Sequence, residues 1–137
     1  MELFTEHFEV RTVERIELRD ITSQIQSIIN SLRVKNGVAF VYTSHTTATI
    51  IVNEAESGLL NDIKKWVQAT FTRPDYDHDK IDRNAASHIA ASFAKNAVVL
   101  PVEGGRLALG TWQRILHLEL DGPRNRRIIV QVIGTLS

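Results

Sequence analysis

The stretch "RILHLELDGPRNRRIIVQVIG", Arg114 to Gly134, constrains this chain more than any other. Leu116, Leu118 and Leu120 alternate with other residues, as do Ile128, Val130 and Val132 beyond the turn "DGPRN". A period of two means strand, because successive side chains point to opposite faces. The same alternation opens the chain. Phe4, Phe8 and Val10 share one parity with Glu6, while Thr5, His7, Glu9 and Arg11 take the other. Ile16 and Leu18 continue it in a second short strand, and "VAFVYTSH" and "TATIIVNE" add two more.

Between these runs the period becomes helical. In "DITSQIQSIINSLRVKNG", Ile21, Ile25, Ile28, Ile29 and Leu32 form one stripe, with Asp20 or Thr22 to cap its start and Asn36-Gly37 to end it. "SGLLNDIKKWVQATF" predicts a second helix with Leu59, Leu60, Ile63, Trp66, Val67 and Phe71 inward. "NAASHIAASFAKN" predicts a third, capped by Asn84, with Ala86, Ile89, Ala90 and Phe93 inward. Few strands are separated by crossover helices. The expected class is therefore α+β: a largely antiparallel, sandwich-like sheet core with about three helices packed on it.

With 137 residues the chain is expected to form one domain spanning 1–137, and it buries roughly two-thirds of its unfolded surface. It has no cysteine, so disulfides, Cys-based zinc sites and thiol nucleophiles are excluded. Sixteen basic and sixteen acidic residues balance, so no global field attracts nucleic acid or membrane. Low self-repulsion suits self-assembly. The start "MELFTEHFEV" mixes charges with apolar residues and does not read as a signal peptide, which makes cytoplasm the expected location.

Several polar residues stand out. His45 lies between two strand runs beside Ser44, Thr46 and Thr47, and Asn53 and Glu54 close the next strand. Asp62 borders the apolar stripe of its helix, where a carboxylate seeks a partner. The loop "DYDHDKID" surrounds His78 with carboxylates, but Lys80 and Ala86 stand where a calcium loop needs glycine and glutamate, which rules out an EF-hand. His88 sits in the third helix among small residues. His45, His78 and His88 are three possible nitrogen ligands in separate elements, without the spacing of a local metal motif. "EGGRLALG" has glycines suited to hairpin turns rather than to a phosphate cradle. Thr111, Gln113, His117 and Glu119 share a strand face with Ile115, and such a face must meet solvent, a site or a partner unless every polar group is paired. Arg124, Arg126 and Arg127 form either a charged turn or an anion clamp.

Three segments, "HTTATIIVNE", "NAASHIAAS" and "GRLALGTWQRILHLELDGPRNRR", resemble the YjbQ family, also called the secondary thiamine-phosphate synthase family, over nearly the whole chain. The resemblance implies a compact α+β fold with a β-sandwich core, a homotrimer, and a polar site containing His45, Glu54, Asp62, His78 and His88. It also marks Gln113 and Arg127, which match its C-terminal motif. It implies a weak activity that joins a thiazole phosphate to a pyrimidine pyrophosphate and releases pyrophosphate. On this reading the expected catalytic residues are His88, Glu54 and Asp62. Thr46, Thr47, Gln113 and Arg127 bind the phosphorylated substrate, and His45, His78 and His88 hold a divalent metal such as zinc or magnesium. The chain departs from the family at "DKIDRN", where relatives often carry glycine-rich text, and this bears on where His78 sits. The alternative from another class is a non-catalytic trimer that binds a metal or a small anion.

Overall fold

The computed structural model describes residues 1–137. Eight strands form two sheets. In chain order they are β1 (Glu2–Arg11), β2 (Glu17–Asp20), β3 (Val34–Tyr42), β4 (Ala48–Asn53), β5 (Ala97–Glu103), β6 (Arg106–Leu107), β7 (Arg114–Glu119) and β8 (Asn125–Leu136). Three helices complete the fold: α1 (Thr22–Leu32), α2 (Ser57–Phe71) and α3 (Ala85–Phe93). The five-stranded sheet has the order β1-β8-β3-β5-β6 and the three-stranded sheet β2-β7-β4. Every pairing is antiparallel. The α+β class expected from the sequence is the observed one.

Strand alternation builds the main core. Ile50 of β4 and Ile115 of β7 meet Val41 of β3 and Ile128, Val130 and Val132 of β8 in one cluster. Ile21, just before helix α1, and Ile25 and Ile29 within it join this cluster, and each is almost wholly buried. Burying one such side chain contributes roughly 1.5–3 kcal/mol. The opposite parity of β7 faces away from this core. Leu118 and Leu120 instead meet Val67 of α2 and Ala90 of α3 in a smaller cluster. Strand β7 is thus covered on both faces, and everything from Ile115 to Leu120 is buried.

Local expectations are corrected at several points. Helix α1 ends at Leu32 with Arg33 in the left-handed conformation, not at Asn36-Gly37. Asn36 and Gly37 lie inside β3, beside a register shift against β8. A side chain on Gly37 would place its Cβ 2.0 Å from the Ile133 carbonyl oxygen, so glycine is required by close backbone approach rather than by a helix end. The sequence also allows β3 and β4 to turn back on each other between Ser44 and Thr47 as a hairpin, but each strand joins a different sheet. The turn "DGPRN" likewise carries the chain from one sheet to the other. The glycines Gly104 and Gly105 do form a hairpin turn, between β5 and β6, both with positive φ. Trp66 and Phe93, expected inward, are exposed. No helix is long and apolar enough to cross a membrane.

Candidate functional site

The sheet-to-sheet crossing at Leu120–Arg127 organises the polar interior. Arg126 shares the inward parity of Ile128 and Val130 and is 5% exposed, so its charge needs a partner inside. Glu119, fully buried on the opposing sheet, supplies it. Arg126 Nε donates to Glu119 Oε1 at 2.8 Å, and Nη2 reaches Oε2. The same Nη2 donates to Thr47 Oγ1 at 2.9 Å. Glu119 also accepts from the Thr12 hydroxyl at 3.0 Å and from the Asp121 N–H at 3.0 Å. Burial alone would raise its pKa, but these donors together hold it below the usual glutamate value.

Asp121 carries the network outward. Its Oδ2 accepts from Asn84 Nδ2 at 2.9 Å and from Arg124 Nη2 at 3.0 Å, while Arg15 Nη2 lies 3.5 Å from Oδ1. Asn84 thus presents its Oδ1 to His78 Nε2, at 2.9 Å. An amide oxygen only accepts, so His78 carries a proton on Nε2 and, when neutral, a lone pair on Nδ1. His88, one turn after Asn84 on α3, stands edge-on to His78 with ring centroids 4.8 Å apart. A hydrogen-bonded chain therefore runs from His78 through Asn84, Asp121 and Glu119 to Arg126.

His45 follows β3 and sits on the other side of the crossing. Its Nε2 accepts the Arg127 N–H at 3.1 Å, which places the proton of the neutral ring on Nδ1. Burial lowers its pKa first, Arg126 lowers it further, and Glu119 partly opposes. The balance favours the neutral ring.

His117 is the odd member. It is fully buried, and neither ring nitrogen has a partner. Desolvation drives its pKa down to about 4, with Arg126 and His45 pushing the same way and Glu119 and Glu17 opposing.

The expected site residues are only partly gathered. His78 and His88 are brought together. His45 is not joined to them as a metal site. No group of three histidine or carboxylate side chains that could hold an ion is present in the chain, and the Nε2 lone pair of His45 already accepts a backbone N–H. The three-histidine metal set therefore does not fit within one chain. Asp62 lies on the exposed side of α2, not at a buried edge, and Glu54 is half-buried just past β4. Thr47 is buried and holds Arg126, while Thr46 is exposed. The Gln113 side chain accepts the Gly110 N–H at 2.8 Å and so closes a turn. The Arg127 side chain is exposed, and only its backbone meets His45. The strand face bearing His117 and Glu119 turns inward to the main core rather than to solvent or a partner.

Sequence reasoning placed Arg126 in a charged turn or an anion clamp, whereas it is buried and paired with Glu119, and it passed over Thr12, Asp121 and the hydrogen-bonding role of Asn84. A signal existed for Arg126, whose parity matches Ile128, Val130 and Val132 whereas that of Arg127 does not. None existed for Thr12, whose partners lie more than a hundred residues away.

The two facing antiparallel sheets, their outer helices and a polar crossing braced by a buried arginine–glutamate pair define an α+β protein with a histidine-bearing surface site. The chain belongs to the YjbQ family: the family model described as UPF0047 protein YjbQ-like matches residues 6–135. A UPF0047 protein of Archaeoglobus fulgidus is 46% identical over 125 residues, covering 90% of this chain and 97% of that one. The UPF0047 protein YugU of Bacillus subtilis is 34% identical, with 92% and 96% covered. The crystal structure of a hypothetical protein from Aeropyrum pernix K1 superposes with a TM-score of 0.93 at 38% identity, covering 98% of this chain and all of that one.

Proposed function

We propose that the chain is a small cytoplasmic enzyme acting on phosphorylated small molecules at the His78–His88 pair, with thiamine-phosphate synthesis as a secondary activity. One observation supports this best: His78 is oriented by Asn84, and Asn84 by the buried carboxylate of Asp121. Such a relay fixes a tautomer and holds an imidazole in one pose, as general acid–base chemistry near neutral pH requires. In the reaction the thiazole nitrogen forms a bond to the pyrimidine methylene carbon. The bond from that carbon to the pyrophosphate oxygen breaks, and pyrophosphate leaves with the electron pair. His88 donates the proton that the leaving group takes up. The exposed guanidinium of Arg127 and the half-exposed one of Arg124 offer donors for its negative charge. No step runs through a metal held by this chain.

The partner in this proposal is a second and third copy of the chain. Val38, Phe40, Val99 and Ile133 lie on the outer face of the five-stranded sheet and are 43%, 41%, 56% and 45% exposed. They are neighbours across β3, β5 and β8. A contiguous apolar sheet face of this kind marks an association surface.

The test is a single-turnover assay of purified protein with thiazole phosphate and pyrimidine pyrophosphate, with and without chelator. Product is expected from both samples, and His88→Ala should lose roughly 100-fold or more of the rate. No product from either sample overturns the enzyme reading. The alternative, a non-catalytic trimer that binds a metal or an anion, is favoured by the apolar sheet face alone. It predicts anion or zinc binding by the trimer without turnover.

A further inference from the structure

The outer side of the three-stranded sheet carries a second feature, whose lining includes neither His78 nor His88. Helices α2 and α3 flank a groove over Leu118 and Leu120. One part of it is a cavity of about 280 Å³ lined by ten hydrophobic residues, including Ile51, Ile63, Trp66 and Phe93. The next part has about 480 Å³ and bears four cations on its walls: Arg15, Lys64, Arg73 and Arg83. The two share Val67, Phe71, Ala90 and Leu120, so they are one continuous trough. Phe71 marks the join. It stacks on Phe93 with centroids 6.2 Å apart and meets the edge of Trp66 at 6.0 Å.

Three of the four cations are paired where they stand, and one is not. Glu14 and Asp79 are the carboxylates on the walls of the larger part. Glu14 pairs with Lys64 at 2.7 Å, and Asp79 Oδ1 accepts the Ala85 N–H at 3.0 Å. Arg73 pairs with Asp75 and Arg15 with Asp121. Arg83 has no carboxylate partner, and only its backbone carbonyl is engaged, by Arg15. What stands beside the entirely apolar slot is therefore one guanidinium, that of Arg83, without a carboxylate partner, next to Arg73, which is paired with Asp75. Trp66 and Phe93 at the apolar end are 63% and 81% exposed, an unusual cost for aromatic side chains that nothing in the chain covers.

We propose that this trough binds a monomeric anionic amphiphile, with one carboxylate or phosphate head at Arg83 and Arg73 and an alkyl chain laid past Phe71 between Trp66 and Phe93. The combined space matches small-molecule sites of roughly 300–1,000 Å³. Guanidinium forks suit either head group. This site goes beyond the enzymatic reading and shares neither histidine with it.

The experiment uses the full chain carrying Trp112→Phe, so that Trp66 alone reports. Dodecanoate, dodecyl phosphate, dodecyltrimethylammonium and inorganic phosphate are titrated below micelle-forming concentrations. The expected result is a saturable blue shift of Trp66 emission with the two anionic amphiphiles. The stronger of the two identifies the head group. Arg83→Glu should weaken binding by roughly ten-fold or more, and far-UV circular dichroism checks that this exposed position leaves the fold intact. His88→Ala should bind unchanged, which separates this site from the enzymatic one. Equal binding of the cationic amphiphile, no saturable shift, or indifference to Arg83→Glu overturns the proposal. So does binding to anionic vesicles without binding of monomers. A change of sedimentation mass in ligand-free Trp66→Glu also overturns it, because the occupant is then a second copy.

Discussion

Arg126 and Glu119 are seven residues apart in sequence yet stand on opposing sheets, and their two-pronged pair closes the space between them. The "DGPRN" crossing is therefore anchored at both ends by one interaction. Removing either partner leaves a buried, unpaired charge. Glu119→Ala or Arg126→Ala should each cost roughly 3–5 kcal/mol in urea unfolding. Arg126→Met combined with Glu119→Leu should recover part of that loss. If the single variants cost no more than a surface substitution, the pair does not brace the crossing.

His117 sets a pH dependence. Its folded pKa of about 4 lies below the value of 6.5 for the unfolded chain, so between these limits the unfolded state binds the extra proton. Its contribution is fully present above pH 6.5, falls as pH drops, and is gone below about pH 4. The total is about 3 kcal/mol. His45, also lowered, adds in the same direction. Glu119 and Glu17, lowered from 4.5, extend the loss to more acid pH. Equilibrium unfolding of the protein and of His117→Phe across this range should show a shallower slope for the variant.

The relay to His78 has a spectroscopic signature. Neutral His78 should show the Nε2–H tautomer in imidazole nitrogen NMR. Asn84→Leu should release it to a mixture and cost about 1–3 kcal/mol, because Asp121 loses a buried donor.

The period-two alternation of β1, β7 and β8 and the isoleucine stripe of α1 were legible because each is a local pattern with one face in a core. Sheet membership was not. Alternation says that Leu118 and Ile128 belong to strands, but nothing local says that their strands lie on different sheets. The same gap hid the Arg126–Glu119 pair, although the parity of Arg126 pointed inward. Asp62 was misplaced because the edge of a helical stripe can face either a neighbour or water. The His78–His88 contact was expected as part of a triad. Only the pair formed, because its two members flank Asn84 at a short range that His45 does not share.

Gly37 tolerates no side chain. Gly37→Ala would drive a Cβ into the Ile133 carbonyl, so it should destabilise by roughly 1–3 kcal/mol or more, measured by thermal unfolding.

The outer sheet face predicts assembly behaviour. Phe40→Lys should shift the sedimentation mass toward the monomer while circular dichroism stays unchanged. An unaltered mass would place the association surface elsewhere.

Strand β8 emerges last of the eight yet lies between β1 and β3. Asn125 of β8 reaches Glu9 of β1 across 116 residues of sequence. During synthesis, β1 therefore leaves the ribosome long before its partner exists, and so does the β8-facing side of β3. Two open strand edges must stay apart through most of translation. The charged residues of β1, Glu2, Glu6, Glu9 and Arg11, then discourage premature pairing between nascent chains on the same message.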